Sequence, residues 1–71
     1  MQEHVYKKIE VVGSSEKSIA DAVRNAVMKA GETVKNLRWF EVSEIRGDIH
    51  DGKVAHFQAT IKIGFRLEDE V

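Results

Sequence analysis

Trp39 and Gln58 are the two side chains of this 71-residue chain best suited to hold a planar ligand. An indole presents a flat face for ring stacking, and a glutamine amide offers a donor and an acceptor to the edge of a heterocycle. Stacking combined with such edge contacts is a common way to hold a flat ring. The pair therefore predicts binding of a planar heterocycle. A neighbouring subunit that covers Trp39, with Gln58 in solvent, would explain the same residues without a ligand.

Two arginines, Arg46 and Arg66, lie near the ends of the second and third predicted strands. A guanidinium group donates forked hydrogen bonds that match the oxygens of a phosphate. Arginines at strand ends also pair with nearby carboxylates, here Glu44 or Glu68, at little gain in stability. A phosphate contact and a surface ion pair are both compatible with this pattern.

Catalytic and metal sites have little support in the sequence. No spacing of His50, Asp48 and Asp51 matches a zinc or calcium loop, and these residues are typical of a glycine-flanked turn. The serines near the first helix are explained by helix capping, and no glycine-rich phosphate loop is present. We therefore expect no metal site, no catalytic residue and no enzymatic activity.

The hydrophobic pattern predicts four elements in the order β-α-β-β. Residues 5–13 alternate as a strand, and the serines after Gly13 end it and cap a helix. The helical stripe has spacings of three and four, which carry the predicted helix through Gly31 to an end near Asn36. It consists of Ile19, Val23, Ala26, Val27, Ala30 and Val34.

A second strand over residues 37–46, a turn over 47–52 and a third strand from Ala55 to Leu67 complete the chain. The third strand alternates strictly, with apolar residues at odd positions. Because the helix covers that odd face, parity places Trp39 on the opposite, polar face, with Gln58 within cross-strand reach. The fold class predicted is α+β.

Composition indicates one small domain over residues 1–71 that is not stable as a lone monomer. A chain of this size buries only about 60% of its unfolded surface, and it has no cysteine for a disulfide, so we expect an oligomer. The net charge of −1 gives no reason to expect nucleic acid or an anionic membrane as a partner. The absence of cysteine and of a long apolar run favours the cytoplasm.

Six segments, taken together and in order, resemble the dodecins, small flavin-binding proteins that assemble into a hollow sphere of twelve subunits. They are Val-Tyr-Lys at 5–7, Val-Gly-Ser-Ser at 12–15, Asp-Ala-Val-Arg-Asn-Ala-Val at 21–27, Arg-Trp-Phe-Glu-Val at 38–42, Asp-Gly-Lys-Val-Ala-His-Phe-Gln at 51–58 and Gly-Phe-Arg-Leu-Glu-Asp at 64–69. The resemblance implies a three-stranded antiparallel sheet partly wrapped around one helix, a homo-dodecamer, and flavin pockets at subunit contacts.

The resemblance also implies roles for four residues. Trp39 falls at the family's stacking tryptophan, where two symmetry-related indoles sandwich a pair of flavin rings, and Gln58 falls at the glutamine that contacts the pyrimidine edge. Arg46 and Arg66 match arginines suited to the phosphate of FMN. FMN is therefore the first choice, ahead of riboflavin or FAD, and coenzyme A is a second ligand to which no residues are assigned.

The implied function is storage of FMN and protection from its photochemistry. Two alternatives stay open at this point. One is a structural oligomeric assembly in which protein covers Trp39 and ligand binding is incidental. The other is a flavin-dependent oxidoreductase, for which the sequence offers no acid-base pair beside the ring.

Overall fold

The computed structural model describes residues 3–68, which form one three-stranded sheet and one helix. The elements follow in the predicted order as β1 (Tyr6–Ser15), α1 (Ile19–Gly31), β2 (Leu37–His50) and β3 (Lys53–Arg66). The strand order is β1-β3-β2 and both pairings are antiparallel, so β3 is the central strand. The predicted α+β fold is confirmed. No helix in the described part of the chain is long and apolar enough to cross a membrane.

The connection from β1 to α1 differs from the prediction. Gly13 does not end the strand, because β1 continues to Ser15 and pairs with β3 along its whole length. The N-cap is Ser18, whose hydroxyl accepts a hydrogen bond from the backbone N–H of Asp21 at 3.0 Å. Ser15 instead accepts from the N–H of Lys17 at 2.9 Å, which closes the turn before the cap.

The helix is shorter than its apolar stripe predicted. It ends at Gly31, and the backbone N–H of Val34 still reaches the carbonyl oxygen of Ala30 at 2.9 Å as the chain leaves the helix. Asn36 has a φ of 66°, so the predicted left-handed asparagine is confirmed, but in the loop that leads into β2. The prediction that the helix continues past Gly31 to an end near Asn36 was wrong.

The core is small and lies between α1 and the central strand. Its buried residues are Ala22, Ala26 and Ala30 on the helix and Ala59, Ile61 and Ile63 on β3. The helical alanines let the helix axis come close to the sheet, and at Gly13 no room is left for a side chain. An ideal Cβ at Gly13 would collide with the carbonyl oxygen of Ala22 and lie 2.8 Å from the Cβ of Ala26.

Strands β2 and β3 form a long hairpin that extends beyond the helix. Its turn has only two residues, Asp51 and Gly52, with φ of 52° and 75°, and not the six that the sequence predicted. Two positive φ values are typical of the turn whose twist matches paired strands. The helix packs on β1 and β3 and leaves an apolar strip on β2 uncovered. This strip consists of Phe40, Val42, Ile45 and Ile49.

Candidate functional site

The candidate site lies on the sheet face that points away from α1, which we call the open face. Ile61 and Ile63 of β3 point to the helix, so the even-numbered residues between and beside them point to the open face. Trp39 pairs with Gly64 and is therefore on the open face, as parity predicted. Its side chain is 40% exposed.

Trp39 lies flat against the sheet. The indole passes over Gly64, because a Cβ at that position would collide with three atoms of the indole. The ring of Tyr6 on β1 meets the indole edge-on, with centroids 5.3 Å apart and planes at 70°. Edge-to-face contact of this kind is a favourable arrangement of two aromatic rings. The inner face of the indole thus rests on β3, and its outer face is directed to solvent.

The indole N–H is held by a carboxylate. Nε1 of Trp39 donates to Oε2 of Glu41 at 2.9 Å, and Nζ of Lys8 lies 3.2 Å from the same oxygen. The hydrogen bond from Trp39, followed by that from Lys8, lowers the pKa of Glu41 below its ordinary value of 4.5. Glu41 is therefore charged at neutral pH. We call Tyr6, Trp39, Glu41 and Gly64 the indole platform.

Gln58 and Arg46 form a second group on the open face. They are directly paired across β2 and β3, and Nε of Arg46 donates to Oε1 of Gln58 at 2.9 Å. Two of the predicted site residues are thus in contact with each other. The sequence did not predict this contact.

The structure separates Trp39 from Gln58. Trp39 pairs with Gly64, which lies six residues from Gln58 along β3, a distance of roughly 20 Å at the rise of an antiparallel strand. The prediction that Gln58 lies within cross-strand reach of Trp39 was therefore wrong for a single chain. The cause is the two-residue turn, which moves the register of β2 against β3.

Arg66 lies at the end of the open face that carries the indole platform, opposite Tyr6 and two residues beyond Gly64. Arg46 is opposite Gln58, eight positions back along β3, so the two arginines are roughly 27 Å apart along the strand. A single chain therefore does not place both guanidinium groups on one phosphate. The Nε of Arg66 is buried and makes no hydrogen bond within residues 3–68.

Three members of the indole platform were missed as site residues. Gly64, Tyr6 and Glu41 carry no chemical signal of their own in the sequence. Their role follows from the register, which puts Gly64 beneath Trp39 and Tyr6 and Glu41 beside it. A correct prediction of the hairpin turn would have identified Gly64.

The arrangement suits ring stacking and hydrogen bonding more than acid-base chemistry. Across residues 3–68, no three or more His, Asp, Glu or Cys side chains are grouped so that they could hold a metal ion. The platform offers a flat aromatic surface, and the Arg46–Gln58 pair offers directed donors. Both groups can bind a ligand without changing it.

Comparison with known proteins identifies the family. The family model described as Dodecin matches residues 5–68. A curated dodecin of Thermus thermophilus is 46% identical over 65 residues, which cover 92% of this chain and 94% of the relative. The chain belongs to the dodecin family. The resemblance inferred from the six sequence segments is confirmed.

Solved dodecin structures have the same fold. A Thermus thermophilus protein superposes with a TM-score of 0.92 at 44% identity, covering 96% of this chain and 100% of its own. The dodecin of Streptomyces coelicolor gives a TM-score of 0.91 at 51% identity, covering 99% and 100%. Dodecins bind flavins and are oligomeric.

Proposed function

We propose that this dodecin binds FMN by stacking the flavin ring on Trp39, and that it stores the flavin and limits its photochemistry. The observation that carries the proposal is the indole platform. Trp39 rests on Gly64 and is held by Glu41, so its outer face is available to a planar ring without a change of rotamer. A surface ordered before binding loses little conformational freedom when a ligand stacks on it.

The indole platform also suits quenching of an excited ring. An excited flavin is a strong oxidant, and an indole in van der Waals contact can donate an electron and take it back without net reaction. The negative charge of Glu41, 2.9 Å from Nε1, favours the positive charge that develops on Trp39 when it donates. The platform residues thereby support both binding and photoprotection.

We propose that the complete site forms between subunits of a homo-dodecamer. The separation of roughly 20 Å between Trp39 and Gln58 in one chain supports this, because one isoalloxazine ring cannot contact both. Gln58 then contacts the pyrimidine edge from another subunit, and Arg46 and Arg66 of different subunits meet at a phosphate. The uncovered apolar strip on β2 supports burial against further copies of the chain.

FMN remains the first choice of flavin because both arginines lie on the open face. Riboflavin and FAD share the ring and differ in the phosphate, so their relative affinities test the arginines. Coenzyme A is a further ligand to which no described residue is assigned. We place the protein in the cytoplasm, which agrees with a sequence that contains no cysteine.

Flavin titration tests the proposal. FMN is added to the ligand-free assembly while flavin fluorescence and assembly mass are followed, with Trp39→Ala and Trp39→Phe as variants. Wild type should quench FMN strongly and saturate near one flavin per chain. Trp39→Ala should keep its mass and lose binding, and Trp39→Phe should retain part of the affinity but quench less, because phenylalanine is a poorer electron donor.

Two results would contradict the proposal. If micromolar wild type leaves FMN fluorescence unchanged, the chain is not a flavin store. If Trp39→Ala breaks the assembly, the role of Trp39 is to hold subunits together, which is the structural alternative. Oxidation of NADH or NADPH by the FMN-loaded protein faster than by FMN alone would instead indicate an oxidoreductase.

A further inference from the structure

The hydrogen bond between Arg46 and Gln58 bears on how the amide is presented. The two residues are a directly opposed pair on the open face, so their Cβ atoms lie roughly 5 Å apart. At that spacing the guanidinium reaches the amide through Nε, the donor nearest the backbone, at 2.9 Å from Oε1. The bond joins β2 and β3 in the regular part of the ladder from Glu44 to Asp48, between two register shifts.

A glutamine amide on a surface has little orientation of its own. Its terminal torsion is broad, and its oxygen and nitrogen exchange places at small energetic cost. A donor from Arg46 removes that freedom, because only Oε1 can accept it. Nε2 then carries its two N–H groups on the other side of the amide, and within residues 3–68 the contact with Arg46 is the hydrogen bond that orients this side chain.

We propose that Arg46 is a positioning residue, which orients the Gln58 amide for the carbonyl edge of a flavin independently of any phosphate. The proposal rests on the proposed flavin-binding function and adds a second role to the phosphate contact proposed for Arg46. A group held in its binding geometry loses less freedom when the ligand arrives, so the contact raises affinity without touching the ligand.

The phosphate role and the positioning role make different predictions for two flavins. Riboflavin has the same ring as FMN and no phosphate. An Arg46 that only binds phosphate would contribute to FMN affinity and nothing to riboflavin affinity. An Arg46 that orients Gln58 contributes to both, because both ligands present the same ring edge to the amide.

The experiment measures dissociation constants of FMN and riboflavin by fluorescence quenching, in assemblies whose mass is checked by sedimentation. Arg46→Ala should weaken riboflavin binding about five- to tenfold, the effect expected of one well-formed hydrogen bond. In a Gln58→Ala background, the further change Arg46→Ala should leave riboflavin affinity unchanged, because the residue that Arg46 orients has been removed.

Arg46→Lys is the second variant and keeps the positive charge without the planar guanidinium fork. Its Nζ can still donate to Oε1 of Gln58, so it should recover part of the riboflavin affinity that Arg46→Ala loses. Unchanged riboflavin affinity in Arg46→Ala, or an equal loss with and without Gln58, would overturn the positioning role. If the wild-type protein binds neither flavin, the proposed flavin-binding function itself is contradicted.

Discussion

The indole of Trp39 lies across Gly64 of the neighbouring strand, in the space that a side chain would otherwise fill. This relationship links the backbone of the central strand to the orientation of the aromatic ring. Because β3 has no Cβ at this point, the indole lies parallel to the sheet and stays within hydrogen-bonding distance of Glu41. The orientation of the indole therefore depends on a residue with no side chain.

Replacing Gly64 by alanine should lift the indole from the sheet. The new Cβ would collide with the ring, so Trp39 must change rotamer and lose its hydrogen bond to Glu41. We expect FMN affinity to fall tenfold or more while the assembly mass stays the same. The emission maximum of Trp39 in the ligand-free protein should shift as its surroundings change.

Gly31→Ala is the matched control for this variant. A Cβ at Gly31 meets only Cδ1 of Leu37, at 3.7 Å, which is an ordinary contact. Alanine near the end of a helix should be neutral or stabilise by up to about 1 kcal/mol. If Gly64→Ala binds FMN as Gly31→Ala does, the close packing of Trp39 on β3 is not needed for binding.

The fluorescence of Trp39 should report the charge of Glu41. The pKa of this carboxyl is lowered by its hydrogen bonds from Trp39 and Lys8. The carboxylate therefore stays charged, and keeps its interaction with the indole, as the pH falls to the ordinary pKa of 4.5. This interaction is lost only below that pH. Emission of the ligand-free protein should stay constant down to about that value and change below it. The chain has one tryptophan, which makes the signal specific.

Glu41→Gln provides the comparison, since glutamine can still accept from the indole but does not titrate in this range. Its emission should not show the transition seen in wild type. A wild-type midpoint above 4.5 would contradict the hydrogen-bonded geometry of Glu41.

Gly13→Ala should destabilise the subunit through its core. Its Cβ would collide with the backbone of α1 at Ala22, so the helix must move away from the sheet. Overpacking of this kind costs about 1–3 kcal/mol, and in a domain of this size each kcal/mol lowers Tm by about 4–8 °C. Thermal unfolding measures the change, and the exposed neighbour Ser14, replaced by alanine, should unfold within about 0.5 kcal/mol of wild type. Equal Tm values for the two variants would show that the helix has room to adjust.

Ile45→Glu should weaken the assembly. Ile45 is 62% exposed in the single chain and belongs to the uncovered apolar strip on β2. A charge buried at a subunit contact is costly, so sedimentation velocity should show smaller species. Lys17→Glu is the control, because Lys17 is exposed in the loop between β1 and α1, outside both the apolar strip and the open face. Assembly that is unaffected by Ile45→Glu would place the subunit contacts elsewhere.

The period of the hydrophobic pattern was enough to predict the element order and the faces of the strands. Apolar residues at odd positions of the third strand placed Ile61 and Ile63 toward the helix, and parity then placed Trp39 on the other face. Both conclusions depend only on alternation, which the sequence carries directly. The end of the helix depends on how the chain returns to the sheet, so the apolar stripe past Gly31 was misleading.

The register of the hairpin could not be read from the same pattern. A turn over residues 47–52 would pair residue 46 with residue 53 and bring Trp39 opposite residue 60, near Gln58. The actual turn at Asp51 and Gly52 puts Trp39 opposite Gly64, because the two register shifts between the turn and Trp39 cancel. Glycine and aspartate at several positions offered competing turns, and only long-range pairing selects one of them.

We expect the projecting hairpin to make the folding of this chain dependent on protein concentration. Residues 3–68 extend over 57 × 20 × 15 Å with a radius of gyration of 15.0 Å, against about 11 Å for a closely packed chain of this length. Two strands alone are barely stable in water, so the part of the hairpin beyond the helix depends on neighbouring copies to order it. Dilution should then melt the protein as well as dissociate it, and Tm should rise with subunit concentration.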